Sequence, residues 1–227
     1  MAAKPSTTRG PGRPGADAAA VPEERDILRR GLETFAELGY DRASARELAR
    51  RLGVSHNFIN DRYGSKAAFW RAVVDGALGP QLGNLAPIDP ADDDENALRR
   101  FIADFYRSGI DEPHLARLIA DESSRDTERL DYLYERYIEP TMAALMPRVE
   151  SLAASGRMIE TSADILFFVI IGPISGLVSE PLVSRLRSRS EPMTRPERFR
   201  RAETLAGLVV DGLLAPRDTV RVPGTST

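Results

Sequence analysis

Side chains able to bind nucleic acid are concentrated between residues 44 and 66 of the sequence. Asn57 and Asn60 have the amide groups that pair with the edge of an adenine, and Arg46 has the guanidinium that pairs with a guanine. Hydroxyl groups and lysine suit phosphate oxygens, and the segment holds Ser44, Ser55, Tyr63 and Lys66. Any one of these residues alone could equally solvate a surface helix, so their meaning depends on the elements that hold them.

Three short helices are predicted around these residues. Apolar residues recur at helical spacing over 23–38, which indicates a first helix. A capping box opens a second helix over 44–52, and Gly53 stands where a left-handed residue ends a helix. A serine can cap a third helix over 55–63. Helix, glycine turn and helix are typical of a helix-turn-helix, whose second helix enters the major groove of DNA.

The rest of the chain also shows helical periodicity. A fourth helix begins at Ser65 and is expected to be interrupted by Gly79 and Pro80 and by the acidic segment 87–95. Further helices are predicted near 95–109, 113–122, 126–154, 162–189 and 196–214. No strand-like alternation occurs, so the predicted fold class is all-α, with a three-helix DNA-binding domain followed by a larger helical domain.

Several residues of the first segment resemble a known family. Leu48-Ala49, Gly53-Val54-Ser55, Ile59, Tyr63, Ser65-Lys66 and Phe69 are similar in type and spacing to the tetracycline-repressor (TetR) family signature. The resemblance covers residues 23–75 and implies a DNA-binding transcriptional regulator. It also implies that Arg46, His56, Asn57 and Asn60 face base edges, while Ser44, Ser55, Tyr63 and Lys66 hold phosphates.

A basic arm precedes the first helix. Residues 10–15, Gly-Pro-Gly-Arg-Pro-Gly, look like the core of AT-hook peptides, which insert an arginine into a narrow A·T minor groove. Arg13 is therefore a candidate DNA-binding residue. A tail that merely keeps the protein in solution is an equally good interpretation of so short a motif.

Two apolar stretches near the C-terminus resemble the helices through which this family dimerises. A helix-turn-helix monomer covers one half-site, so a homodimer on a palindromic operator is expected. The candidate interface residues are Gly172, Ser175, Gly176, Ser179, Leu205, Leu208, Val209 and Leu213. Because a monomer core and an obligate interface have similar compositions, a monomer core remains an alternative.

Aromatic and polar residues of the middle helices suit a pocket for a small apolar or amphipathic effector. The candidates are Phe101, Phe105, His114, Glu122, Tyr134, Tyr137 and Phe168. Aromatic residues at helical spacing are also typical of a packed core, so that alternative is open. By the family-like mechanism, effector binding favours a conformation whose two recognition helices no longer fit the operator.

Composition excludes several other classes of protein. The 227 residues include no cysteine and two histidines, so thiolate sites are excluded and neither a metal site nor a cofactor is predicted. The longest apolar run, 165–171, is far shorter than the ~20 residues of a membrane span, and the N-terminus lacks the apolar core of a signal peptide. A cytoplasmic protein without membrane contact is predicted. The main alternative, a small helical enzyme, lacks any supported catalytic motif.

Charge is distributed unevenly along the chain. Residues 1–80 hold 13 basic and 10 acidic side chains and the remainder 18 and 24, so the net charges are +3 and −6. A polyanion such as DNA is therefore expected to bind to the N-terminal part of the chain. A protein that binds DNA without sequence preference would need a positive excess throughout, which argues against that alternative.

These patterns divide the chain into a disordered basic arm (1–22), a helix-turn-helix domain (23–75), a ligand-sensing and dimerisation domain (76–216) and a disordered tail (217–227). The predicted function is transcriptional regulation without enzymatic activity. The DNA-bound homodimer is expected to be released by its effector. The resemblance favours repression, which is the usual activity in that family, and activation is the alternative.

Overall fold

Helices form all the regular structure of the described residues. The computed structural model describes residues 23–83, 93–188 and 191–214. The helices are α1 (Glu24–Arg42), α2 (Ala45–Leu52), α3 (Phe58–Tyr63), α4 (Lys66–Gly83), α5 (Asp94–Asp111), α6 (Pro113–Glu122), α7 (Glu128–Leu133), α8 (Glu139–Ala154), α9 (Ala163–Val178), α10 (Glu180–Leu186) and α11 (Arg195–Leu213), with a π-helical turn (Tyr134–Ile138) before α8. The predicted all-α class is confirmed.

A first apolar core holds the three N-terminal helices against α4. Its fully buried members include Phe35, Leu48, Ile59 and Trp70. The same cluster continues into α6 and α7 through Leu115, Leu118 and Leu133. The N-terminal helices and the following ones therefore share packed side chains, so a shift of α6 or α7 is felt in the first core.

A second core surrounds α5, which packs against α8, α9 and α11. Leu98, Ile102 and Tyr106 of α5 are completely buried there, together with Leu145 of α8 and Val210 of α11. The α4 helix belongs to the first core, to which it contributes side chains from Phe69 to Leu78. It crosses the boundary predicted between residues 75 and 76 without a break.

The predicted break at Gly79 and Pro80 is absent, because α4 continues to Gly83. A proline inside a helix removes one hydrogen bond and crowds the carbonyl four residues earlier, here that of Gly76. Buried Leu78 and Gln81 lie on either side of Pro80 and hold both turns in place. Tertiary packing therefore overrides the local breaker.

Two long predicted helices are divided instead. The segment 126–154 contains α7, the π-helical turn and α8, and the turn lies directly before Pro140, whose ring excludes regular helical bonding. The segment 162–189 is divided at Ser179, whose φ of −85° and ψ of 59° are not helical, two residues before Pro181.

A close contact between α1 and α4 occurs at Gly31. A Cβ atom on Gly31 would lie 2.7 Å from Val73 Cγ2 and 2.8 Å from the Phe69 ring. We expect Gly31→Ala to lower the free energy of unfolding by about 1 to 3 kcal/mol, because the packed core must shift. Urea unfolding followed by Trp70 fluorescence measures this change. Gly79→Ala is the control, since its Cβ would have no described neighbour within 4 Å; equal losses in both variants would refute the prediction.

Candidate nucleic-acid interface and ligand cavity

The start of α2 presents one arginine to solvent. Ser44 caps the helix, since its Oγ accepts the Glu47 backbone N–H at 3.2 Å. The Glu47 carboxylate does not complete the capping box but binds Arg50 at 2.6 Å and Arg51 at 2.9 Å, which lowers the pKa of Glu47 to about 2. Arg46 is exposed and forms no salt bridge with a described residue. Its guanidinium is therefore available to an external acceptor.

The glycine turn has the predicted geometry, but the following helix starts later than predicted. Gly53 is left-handed, with φ of 71° and ψ of 32°, and its N–H donates to the carbonyls of Ala49 and Arg50. Ser55 does not cap α3: residues 55–57 form a turn, and the helix begins at Phe58 without a side-chain cap. Four polar side chains are exposed here: those of Ser55, His56 and Asn57 in the turn and that of Asn60 on α3.

The α3 helix is held on its inner side by a buried side chain and at its C-terminal end by α1. Ile59 is completely buried. Glu24 of α1 accepts hydrogen bonds from Arg62 and, at 3.1 Å, from the Tyr63 hydroxyl, and the Arg62 bond lowers the pKa of Glu24. The Tyr63 ring packs on Phe69 with a centroid separation of 4.8 Å. These contacts fix the orientation of α3, so that its exposed asparagine points away from the core.

Lys66 lies at the start of α4 and is partly engaged within the protein. Its Nζ donates to the Tyr40 carbonyl at 3.0 Å and sits 4.0 Å from the centre of the Tyr40 ring. Burial lowers the pKa of Lys66. An ammonium has three N–H donors, so this contact still leaves donors for a phosphate. The remaining predicted DNA-binding residue, Arg13, lies outside the described residues.

This arrangement is that of a known family. Residues 27–73 match the family described as bacterial regulatory proteins, tetR family. The N-terminal domain is a TetR-family DNA-binding domain. The chain therefore contains a DNA-binding domain of this family.

Solved structures with a similar fold cover most of this chain. A TetR-family regulator from Streptomyces coelicolor has a TM-score of 0.65 at 20% identity, with 86% of this chain and 93% of that chain covered. PfmR from Thermus thermophilus has a TM-score of 0.61 at 19% identity, with 82% and 95% covered. FadR from Bacillus subtilis in complex with stearoyl-CoA has 0.59 at 16%, with 84% and 100% covered. No curated protein sequence matches this chain.

An apolar cavity of about 70 Å³ lies among α4, α5, α6, α8, α9 and the π-helical turn. It includes three of the residues predicted for a ligand pocket, Phe101, Phe105 and Tyr137. The prediction missed most of the wall, including Leu78, Leu82, Met142, Phe167 and Ile170. These are ordinary apolar helix residues, so only the packing of one helix on another distinguishes them from core.

Four other predicted ligand residues do not line this cavity. Phe168 is 65% exposed, because one residue along a helix rotates a side chain by about 100°, and Phe167 takes its expected place. Tyr134, three positions before cavity-lining Tyr137, is 50% exposed. Glu122 is 2% exposed and is held by Arg129 at 2.9 Å, so its charge is neutralised within the fold. His114 is half-buried on α6, away from the cavity lining.

A pair of tyrosines connects the cavity wall to α4. The hydroxyls of Tyr137 and Tyr132 donate to the same oxygen of Asp75, at 2.5 Å and 2.6 Å. Burial raises the pKa of both tyrosines, that of Tyr132 to about 12, so both remain donors. Trp70, one turn earlier on α4, packs edge-on against Tyr132 at 6.2 Å. A side chain that lines the cavity is thus bonded to the helix that follows α3.

The residues predicted to form the dimer interface differ in how exposed they are on α9 and α11. Gly172 and Gly176 are exposed on α9, which also carries Ser175, and Leu208 is 66% exposed on α11. Ser179, Leu205 and Val209 are half-buried, and Leu213 belongs to the second core. Leu213 therefore contributes to the monomer rather than to its exposed surface.

The described ranges contain neither a metal-binding cluster nor a membrane-spanning helix. Across 23–83, 93–188 and 191–214, no three histidine or acidic side chains approach closely enough to hold a metal ion. None of the helices in those ranges combines the length and apolar character needed to cross a membrane.

Proposed function

We propose that this protein is a transcriptional repressor that binds a palindromic operator as a homodimer in the cytoplasm and is released by a small apolar or amphipathic effector. The observation that carries the proposal is the exposed set Arg46, His56, Asn57 and Asn60 on a TetR-family helix-turn-helix. Their groups pair with base edges, while Ser44, Ser55 and Lys66 supply phosphate contacts around them. Tyr63 joins these contacts when its hydroxyl leaves Glu24, which accepts it in the absence of DNA. A dimer bound in this way blocks a promoter by its size alone, so repression needs no surface that contacts RNA polymerase.

Selection of bound sequences from a random DNA pool tests the proposed DNA interaction. We expect the purified protein to enrich two inverted half-sites whose centres lie about one helical turn or a multiple of it apart. Enrichment of a single unrepeated half-site would refute the dimer on a palindrome. No enrichment at all would refute sequence-specific binding.

Exposed apolar side chains support the homodimer. Ile165, Phe168, Gly172 and Gly176 follow one another at helical spacing on one side of α9. Neither glycine has a described neighbour within 4 Å of a Cβ position, so another helix could approach closely. Leu208 extends this apolar surface onto α11, which packs beside α9. Large exposed apolar patches of this kind are typical of protein interfaces.

Phe168→Asp is expected to weaken dimerisation about 30-fold or more, because an aromatic anchor near the centre of an interface typically contributes at least about 2 kcal/mol. Sedimentation velocity over a range of protein concentrations measures the change. Tyr134→Asp is the control, since Tyr134 is also an exposed aromatic residue but lies outside α9 and α11. A dimer unaffected by Phe168→Asp would place the interface elsewhere.

The apolar cavity supports the proposed effector. Its present volume of about 70 Å³ is smaller than most ligand sites, so an effector must move the lining side chains apart. Leu78 and Leu82 belong to α4, so this movement acts on the helix that follows α3. The B. subtilis FadR complex with stearoyl-CoA shows that this fold accommodates an acyl-CoA, which supports an effector with a long apolar chain.

Tyr137→Phe is expected to uncouple effector binding from DNA release. The substitution keeps the ring in the cavity wall but removes the hydroxyl that binds Asp75 of α4. Because a hydrogen bond to a charged group contributes about 1.5 to 3 kcal/mol, the ratio of operator affinities without and with effector should fall about tenfold. Anisotropy titrations of labelled operator measure that ratio. Tyr134→Phe on the same turn is the control, and an unchanged ratio in Tyr137→Phe would exclude this connection.

A further inference from the structure

A polar cleft lies on the surface of the protein between α1, α4 and α5. Its volume is about 820 Å³. The floor is apolar and includes Leu32 of α1 with Val73 and Ala77 of α4. At its inner end lie Gln81 of α4 and Glu112, the residue between α5 and α6. The cleft thus adjoins both the DNA-binding domain and the helices that line the apolar cavity.

The cleft continues inward toward the apolar cavity. A smaller hollow of about 50 Å³ shares Gln81 and Glu112 with the cleft. The same hollow shares Leu78, Phe105, Ile119 and Ile171 with the apolar cavity. An extended ligand lying along these three spaces would pass from an apolar interior, past Gln81 and Glu112, to solvent.

Gln81 has an unsatisfied polar atom at this junction. The side chain is 8% exposed, and its Oε1 finds no donor among the residues that the structure describes. A buried carbonyl without a partner costs about 1 to 3 kcal/mol, so such an atom is uncommon unless another molecule supplies the donor. Gln81 therefore points to a ligand with an N–H or O–H group.

The charges at the junction favour a cation. Burial raises the pKa of Glu112, and no described side chain donates a hydrogen bond to its carboxylate. The cleft walls contain four acidic and two basic side chains. Both basic groups, Arg25 and Arg29, attract the Glu112 carboxylate from α1. Arg29 is also held by Asp26 at 3.5 Å and Glu33 at 2.5 Å, and Arg25 is exposed to solvent. A carboxylate or phosphate head would meet like charge at Glu112, whereas an ammonium would neutralise it.

We propose that the junction binds the protonated amino head of an aliphatic amine whose chain lies in the apolar cavity. The ammonium donates to Gln81 Oε1 and to the Glu112 carboxylate. This inference rests on the proposed effector function and names the chemical class of the effector. Because the head lies beside α1 and the chain against α4 and α5, one molecule contacts both the DNA-binding domain and the sensor helices.

Calorimetric titration of the full chain with decylamine, decanol and decanoate tests the proposal, at neutral pH and fixed salt and with each compound below its solubility limit or micelle concentration. Decylamine should bind about tenfold more tightly than decanoate, since it gains charged hydrogen bonds where decanoate meets repulsion. Glu112→Gln should weaken decylamine binding about tenfold and leave decanol binding unchanged, and Gln81→Met should weaken decylamine binding by a similar factor. Glu150→Gln removes an exposed charge on α8 and is the control for net charge.

The outcomes separate this inference from the proposed function. Binding of decanol and decylamine with equal affinity, or a decylamine affinity unaffected by Glu112→Gln, would overturn the amine site and leave the apolar effector cavity supported. Failure of all three compounds to bind would overturn both. Retained native Trp70 fluorescence in each variant shows that a loss of binding does not arise from unfolding.

Discussion

Asn60→Ala is expected to weaken operator binding about 30-fold or more while leaving binding to unrelated DNA nearly unchanged. A side chain that reads a base with two hydrogen bonds contributes about 1 to 3 kcal/mol, and the proposed homodimer contains two copies of Asn60. The residue is exposed on α3, next to the fully buried Ile59 that fixes the helix. Competition titrations with operator and scrambled DNA at the same salt concentration measure both affinities.

The control for this substitution is Asn96→Ala, which removes an exposed asparagine from α5, outside the DNA-binding domain. It should leave both affinities unchanged. If Asn60→Ala weakened operator and scrambled DNA equally, the side chain would contact the phosphate backbone rather than a base. If it changed neither affinity, α3 would not be the recognition helix.

Arg129→Ala is expected to lower the free energy of unfolding by about 3 to 5 kcal/mol. Both carboxylate oxygens of Glu122 accept from Arg129 Nε, at 2.9 Å and 3.0 Å, and the Glu122 side chain is almost completely buried. The same guanidinium stacks 3.9 Å from the centre of the Tyr40 ring at the end of α1. Removal of Arg129 leaves a buried carboxylate unpaired and also removes this contact between α1 and α7.

Urea unfolding followed by Trp70 fluorescence measures this loss of stability. The double variant Glu122→Leu with Arg129→Met is the matched control, because a buried ion pair replaced by apolar residues is often tolerated without loss. It should recover most of the stability that Arg129→Ala loses. Equal destabilisation of the single and double variants would show that the ring contact, rather than the unpaired charge, accounts for the effect.

Local signals in the sequence predicted the boundaries of several elements. Pro113 allowed the bounds of α6 to be predicted without error, and Gly53 has the left-handed backbone that its position after α2 indicated. The all-α class followed from apolar periodicity and the absence of alternation. These features depend on a few neighbouring residues, which is why sequence alone was sufficient.

Features that depend on tertiary packing were not predictable in the same way. Pro80 is accommodated within α4 because buried residues hold the turns around it, and Ser55 was expected to cap a helix that begins only at Phe58. The cavity wall includes Phe167 rather than Phe168, a difference of one helical position that periodicity cannot decide on a nearly all-apolar helix. The bond from Tyr137 to Asp75 joins residues 62 positions apart and has no local signature.

The most direct test of the proposed function is the affinity of the purified protein for DNA from upstream of its own gene. Fluorescence anisotropy is recorded at one stated salt concentration, with scrambled DNA of the same length as competitor. Nanomolar binding that resists scrambled competitor is the predicted result, and it would show that the helix-turn-helix reads sequence. Equal displacement by scrambled and upstream DNA would contradict operator recognition at this site.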